Sequence, residues 1–249
     1  MPRAPTIIEL PPNTLAAFRA YVDEAEREMQ STLKTTGPFL WSGQDPNREQ
    51  RVLNGGIEAQ LWSGAKPVSV TDGLIHDWVG ASFAPGATIE RTLRMVQNYD
   101  NHKNIYKPGV LDSKLISHHG NDFRIYLRLL KKKIITVVLD TDHDVHYSQH
   151  GDKRWFCRSY TTRVAEVEYA GSPKEQVMPP DTGYGFLWRL YSYWRFEEKT
   201  GGVFLECRAI SLSRDIPTGL GWIIDPIVLK LPRESLINTL AATRKAISN

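Results

Sequence analysis

The sequence predicts an α+β domain in which a long antiparallel sheet curls around a C-terminal helix, with an apolar ligand cavity between the two layers. Three observations predict it. From Gly73 onward the chain reads strand, helix, six strands, helix. Turn residues such as Gly120-Asn121-Asp122, Gly151-Asp152 and Gly201-Gly202 separate the strands and join neighbours antiparallel. The closing stretch repeats Leu229, Leu236, Leu240 and Ile247 on one helical side, an apolar stripe that a strongly twisted sheet can bury.

Composition narrows the function classes. The chain has 249 residues, 41% hydrophobic and 24% charged, which is ordinary globular usage and suits one large domain with an appended arm. A net charge of +3, with no basic run longer than Lys131-Lys132-Lys133, argues against nucleic-acid binding. Those lysines are placed at a hairpin turn. No segment approaches the roughly 20 apolar residues needed to span a bilayer, so transient membrane contact is the most that is expected. Cys157 and Cys207 lie in strand-like stretches and read as small buried hydrophobes. The start, Met1-Pro2-Arg3-Ala4-Pro5, lacks the apolar core of a signal peptide. The chain as given reads as cytoplasmic, and as periplasmic or exported where a signal has been trimmed.

Residues 1–72 are predicted to form an N-terminal helical arm packing on the main domain, residues 73–249. In the arm, Asn13 is placed as the N-cap of a helix over 14–33, whose Leu15, Phe18, Val22, Ala25 and Met29 form one stripe. Residues 35–51 are aperiodic, with a turn at Gln44-Asp45-Pro46-Asn47, and 57–62 reads as strand or loop. In the main domain, 74–83 is a strand ending at Pro85-Gly86. Residues 87–106 are helical, capped by Thr88 and closed by Pro108-Gly109. Strands follow over 110–117, 123–130, 134–147, 155–167, 186–197 and 203–213, with a polar loop over 171–185. The last helix is predicted to be interrupted near Pro226 and unbroken from about Pro232, since proline fits a first turn better than an interior.

The stretch Thr92-Leu93-Arg94-Met95-Val96-Gln97-Asn98-Tyr99-Asp100-Asn101-His102, followed by Tyr106-Lys107-Pro108-Gly109-Val110-Leu111-Asp112-Ser113, resembles the helix-to-second-strand signature of START-like proteins. This helix-grip superfamily (SRPBCC) includes lipid-transfer domains, polyketide cyclases and aromatases, coenzyme-Q-binding proteins and birch-pollen-allergen relatives. The resemblance covers residues 73–249. Tyr193-Trp194-Arg195-Phe196-Glu197-Glu198 and Ser211-Leu212-Ser213-Arg214-Asp215-Ile216-Pro217 are similar to a bacterial subgroup of it. It implies a helix-grip fold, a seven-stranded curved sheet around the C-terminal helix, and a hydrophobic small-molecule partner such as a lipid, isoprenoid or polyketide-like aromatic.

Candidate ligand contacts come from strand alternation. Pairing Glu198 with Val203 sets Arg195 against Glu206 and Tyr193 against Arg208, charged pairs suited to an outer or arm-covered face. Trp188, Ser192 and Trp194 then share the cavity face with Ala209, Cys207 and Ser211, large aromatics against small residues that leave room for a ligand. The next strand adds Ser159, Thr161 and Arg163, the last an anchor for an acidic headgroup or a member of an internal salt bridge. In Asp140-Thr141-Asp142-His143-Asp144-Val145-His146 the three aspartates and His146 share one face, read as a solvated outer face in preference to a metal site. His143 points the other way, toward the cavity. His76 and Trp78 share a face, where they line the cavity mouth or His76 is a satisfied core histidine. No nucleophile elbow, phosphate loop or dinucleotide fingerprint is present, so no catalytic residue, metal or cofactor is assigned. Binding or transfer of an apolar molecule is the first reading, driven by burial at about 25 cal/mol per Å². The rivals are a cyclase or aromatase using His143 or Arg163, and an interaction domain whose cavity its own arm fills.

Overall fold

A computed structural model describes residues 6–34, 37–62, 64–132, 136–215 and 221–248, with side chains of the last helix described from residue 230. The N-terminal part holds β1 (Ile8–Glu9), α1 (Pro12–Lys34), α2 (Pro46–Leu53), β2 (Glu58–Leu61) and β3 (Val68–Val70). The sheet proper begins with β4 (Gly73–Pro85), followed by α3 (Ile89–Val96) and α4 (His102–Ile105). The meander β5 (Val110–His119), β6 (Asp122–Lys132), β7 (Thr136–Gln149) and β8 (Arg154–Glu168) comes next. After β9 (Gln176–Val177) and β10 (Thr182–Gly183), the hairpin β11 (Arg189–Lys199) and β12 (Gly202–Arg214) leads to α5 (Gly221–Ser248).

The strand order is β2-β4-β12-β11-β8-β7-β6-β5, all antiparallel, with β3 added to β4 and β9 to β8. The seven long strands and the helices flanking them are those predicted, and β2 and β3 lengthen the sheet beyond β4. The protein is therefore an α+β fold, its large antiparallel sheet wrapped about α5 on one face and covered by α1 on the other. We call these the inner and outer faces.

Five local readings are corrected. Asn13 lies inside α1, which starts at Pro12, and Thr14 instead turns its hydroxyl to Thr71 O at 2.7 Å. The Asp45-Pro46 turn is the start of α2: the Asp45 carboxylate accepts from Asn47 N and Arg48 N, and proline fills the first turn where its missing N–H is harmless. The helix over 87–106 is broken into α3 and α4 by a 3₁₀ turn at Tyr99–Asn101, although Thr88 does cap it through Arg91 N. Helix α5 runs through Pro226 and Pro232 without a break, because each proline removes one backbone donor while Leu236, Leu240 and Ile247 pack the helix onto the sheet. Lys131 and Lys132 belong to β6, and the turn placed at Lys133 lies outside the described residues.

The seat of α5 is β4 at Gly80. A Cβ there would stand 2.9 Å from Leu240 Cδ1, 3.1 Å from Leu236 Cδ2 and 3.0 Å from Glu58 O. Glycine is thus required for the helix to press on the strand while β2 pairs beside it. Under the helix the inner face is filled by Val96, Tyr99, Phe123, Ile125, Val145, Tyr147, Phe196, Val203 and Leu205. Cys157 and Cys207 sit there as free, buried thiols, each directly across from Trp194 in the register of its strand pair.

The outer face is sealed by the arm. Phe18, Val22, Ala25 and Met29 of α1 pack on Ile75, Tyr193, Ile210 and Leu212, as the predicted stripe required. Phe39, Leu40 and Trp41 continue the cover over Val79, Ala81, Phe83 and Phe204. Between these apolar patches lies a buried ionic cluster. Asp77, fully buried, takes Arg208 Nε at 3.0 Å and Nη2 at 2.7 Å, and also accepts from Tyr21 Oη at 2.8 Å. Arg208 reaches Glu28 at 3.1 Å and covers the Trp62 ring at 4.1 Å. Glu26 accepts from the Tyr193 hydroxyl at 2.7 Å and from Tyr160, while Arg195 donates to Phe39 O at 2.6 Å.

Two substitutions test this architecture. Gly80→Val should lower unfolding free energy by about 2 kcal/mol in denaturant titration, because the added methyls meet Leu240 and the Glu58 carbonyl. Asp77→Ala should cost about 3–5 kcal/mol, since it strands the Arg208 guanidinium in the interior, and hydrogen exchange should show α1 amides losing protection first.

Candidate functional site

The hairpin register is the predicted one: Glu198 pairs with Val203, Arg195 with Glu206, Tyr193 with Arg208, Trp194 with Cys207 and Ser192 with Ala209. Strand β4 continues it, placing Trp78 beside Ala209 and His76 beside Ser211. Alternation then puts His76, Trp78, Ala209, Ser211, Ser213, Leu190, Ser192, Trp194, Ser159 and Thr161 on the inner face.

That face has two unlike halves. The half beneath Leu236 and Leu240 is packed solid. Toward the other end, Leu190, Ser192, Trp194, Ala209, Ser211 and Ser213 stay partly exposed, Trp194 and Ala209 while packing against the edge of that cluster. Strand β12 is central, paired on both sides, and its outward residues Ile210 and Leu212 are wholly buried. Among the described residues this central strand is thus fully covered on one face and part-exposed on the other, where its side chains are small. This part-exposed patch is the candidate site.

Two predicted site residues face away from it. Arg163 lies on the outer face, because β8 carries a bulge: Asp142 pairs with Arg163 but the next β7 residue, His143, pairs with Thr161. Thr162 is the extra residue, and it reverses the alternation beyond it. Arg163 therefore meets Asp142 at 3.8 Å, with a third of its side chain exposed. Trp188 precedes β11, where the pleat does not yet hold, and its ring joins Phe18, Ile75 and Leu212 on the arm side. The tight turn at Gly185 (φ +78°), where a Cβ would collide with Arg214, directs the chain that way.

His143 does face inward, 5% exposed, but both ring nitrogens are engaged, Nε2 with Thr141 Oγ1 at 2.9 Å and Nδ1 with Ser159 Oγ at 3.3 Å. Thr161 is likewise occupied, its hydroxyl accepting from Leu190 N at 3.0 Å. Burial pushes the His143 pKa down to about 4, and those of His76 and His102 equally. On the opposite face Asp140 is held by Arg128 and Tyr126, Asp144 by Arg124 and His146 by Asp122. The Asp-rich run thus lies on an ionic outer face, on which Asp140 is buried and not solvated as expected. Sequence reasoning missed Lys131, whose ammonium turns inward to Ser235 Oγ at 2.8 Å. Its alternation with Leu127 and Leu129 was the available signal.

No protein-family model and no curated protein sequence matches the chain. Solved structures do match in arrangement. One is the STAR-related lipid transfer protein from Xanthomonas axonopodis, at 17% identity and TM-score 0.47, covering 74% of this chain and 98% of that one. Human STARD10 matches at 10% identity and TM-score 0.45, over 86% of this chain and 84% of its own. The Zhui aromatase/cyclase from Streptomyces sp. R1128 matches at 7% identity and TM-score 0.44, over 69% and 93%. No helix among the described residues is long and apolar enough to cross a membrane.

The buried histidines give a pH dependence. Each has a folded pKa near 4 against an ordinary value of 6.5. Between those values the unfolded chain binds the proton and the folded one does not, so stability falls as pH drops from 6.5 toward 4. One such histidine contributes a loss of about 3 kcal/mol by pH 4. His143→Gln, which keeps hydrogen-bonding atoms but no titration, should flatten the curve of unfolding free energy against pH by about that amount.

Proposed function

We propose that the protein binds, and by binding carries, a hydrophobic small molecule at the part-exposed patch of the inner face. The observation that supports this reading is the part-exposure of Ala209, Ser211 and Ser213 on a central strand whose other face is closed by the arm. Trp194, Trp78 and Leu190 supply apolar walls, and the serines supply hydroxyls without bulk. An apolar guest would gain about 25 cal/mol for each Å² removed from water.

The other two readings fare worse. A cyclase needs convergent proton-transfer groups, and here Arg163 is on the outer face while both His143 nitrogens are occupied. A cavity filled by the arm has less support, because α1 and the 39–41 segment pack on the outer face, while Ile57, Ala59 and Leu61 meet the inner cluster beside β4.

Organic extraction of the purified protein followed by mass spectrometry should yield a stoichiometric apolar compound. Ser192→Phe, which covers the patch with a ring, should abolish that co-purification and cut uptake of a fluorescent apolar probe at least about tenfold. Its unfolding free energy should stay within about 1 kcal/mol of the parent, whereas a space already filled would be overpacked at a cost of about 1–3 kcal/mol. A protein that emerges empty and takes up no probe would end this reading.

A further inference from the structure

Where β7 begins and β8 ends, the chain encloses a cavity of about 240 Å³. Val137 and Val167 give it an apolar wall, and Tyr169, Tyr184 and Phe186 stand around it. The Tyr184 and Phe186 rings lie 5.9 Å apart, tilted by 50°. Tyr169 is held at φ +53°, a costly conformation for a bulky residue, and is 66% exposed.

Two carboxylates, Glu166 and Glu168, line the same cavity. Glu166 accepts from the backbone N–H of Tyr184 at 2.8 Å, Gly185 at 2.9 Å and Phe186 at 3.1 Å, bonds that fix the loop carrying the two rings. Glu168 accepts from the Tyr184 hydroxyl at 2.8 Å through one oxygen only. Neither carboxylate forms a salt bridge among the described residues. Lys131, paired in register with Val137, turns to Ser235 instead. Burial pushes the Glu166 carboxyl above its ordinary value, and the like charge of Glu168 adds to the push. A cation in the cavity offsets both causes.

The lining constrains that cation further. A metal ion is poorly served, because N–H donors take both oxygens of Glu166 and leave one carboxylate oxygen, against the roughly six to eight that calcium gathers. An ammonium on an apolar body suits every wall: the carboxylate takes its hydrogens, the ring faces attract its charge and the valines cover its carbons. The volume falls below the ~300–1,000 Å³ of drug-sized sites, so the body is small.

We propose that this cavity binds a small organic cation, a primary ammonium on an apolar body, whose nitrogen donates to Glu168 against the rings of Tyr169 and Phe186. It is a second site, separate from the patch on β11 and β12, and does not depend on the function proposed above.

The test is calorimetric titration of the full chain with 4-phenylbutylammonium, 4-phenylbutanol and 4-phenylbutyrate. The ammonium should bind about tenfold tighter than the alcohol, and the butyrate more weakly than either. Raising salt from about 0.05 M to about 0.5 M should weaken the ammonium several-fold and leave the alcohol unchanged. Glu168→Gln keeps an acceptor for Tyr184 and removes the charge, so it should bring the ammonium to within about twofold of the alcohol. Tyr169→Gly, which relieves the backbone and removes a ring, should weaken the ammonium about two- to fivefold without loss of stability. Lys133→Ala should leave its affinity within about twofold; a tenfold gain would name the chain's own lysine as the occupant and overturn the proposal. Equal affinities for ammonium and alcohol, tightest binding of the butyrate, or no uptake of the ammonium would also overturn it, and this ranking in the parent protein decides even if no variant folds. An ammonium that binds Glu168→Gln as tightly as the parent sits elsewhere, which defeats the assignment and leaves the apolar-binding function standing.

Discussion

The contact between Asp77 and Arg208 decides which face of the sheet is available. A carboxylate and a guanidinium this deeply buried are tolerable only when their hydrogen bonds are nearly all met. Tyr21 and Glu28 of α1 supply what the strands cannot. The arm must therefore sit in one register on the outer face, and once it does, Phe18, Val22 and Met29 cover Ile210 and Leu212. The inner face is left to α5, whose Leu236, Leu240 and Ile247 pack into its core. The part-exposed patch lies on the inner side of a sheet whose back is already closed.

Much of this was legible in the sequence, for reasons that differ by element. The β11–β12 hairpin was legible because Gly201-Gly202 pins the turn, and a pinned turn fixes every pair along both strands. The stripe of α1 was legible because helical spacing survives whatever the helix packs on. Arg163 was misplaced because a bulge is one residue in a strand of ordinary composition, and nothing about Thr162 announces it. Trp188 was misplaced by extending alternation past the end of a strand. Helix α2 was overlooked because Asp45-Pro46 reads equally as turn or as helix start, and only the acceptance of Asn47 N and Arg48 N by the Asp45 carboxylate distinguishes them.

His76 and His143 illustrate where sequence reading stops. Both lie on strands, both face inward and both are neutral through burial. One has Thr141 and Ser159 at its two nitrogens; the other has Ser213 at one and, among the described residues, no partner at the second. That difference depends on which residues the neighbouring strands bring across, a property of register and not of local composition. Functional capacity in this sheet is a question of which polar atoms remain unspent after folding.

The two cysteines give the inner face an internal clock. Each thiol flanks Trp194 in the middle of the sheet, and burial pushes that of Cys157 up to about 12 and that of Cys207 well above its ordinary value. Neither can react with an electrophile while sheet and helix stay closed, for want of both access and thiolate. Their alkylation rate in the native protein therefore counts openings of the sheet's inner core. Breathing of the molecule is written into its own chemistry, readable without a label, at the residue beside which a ligand would lie.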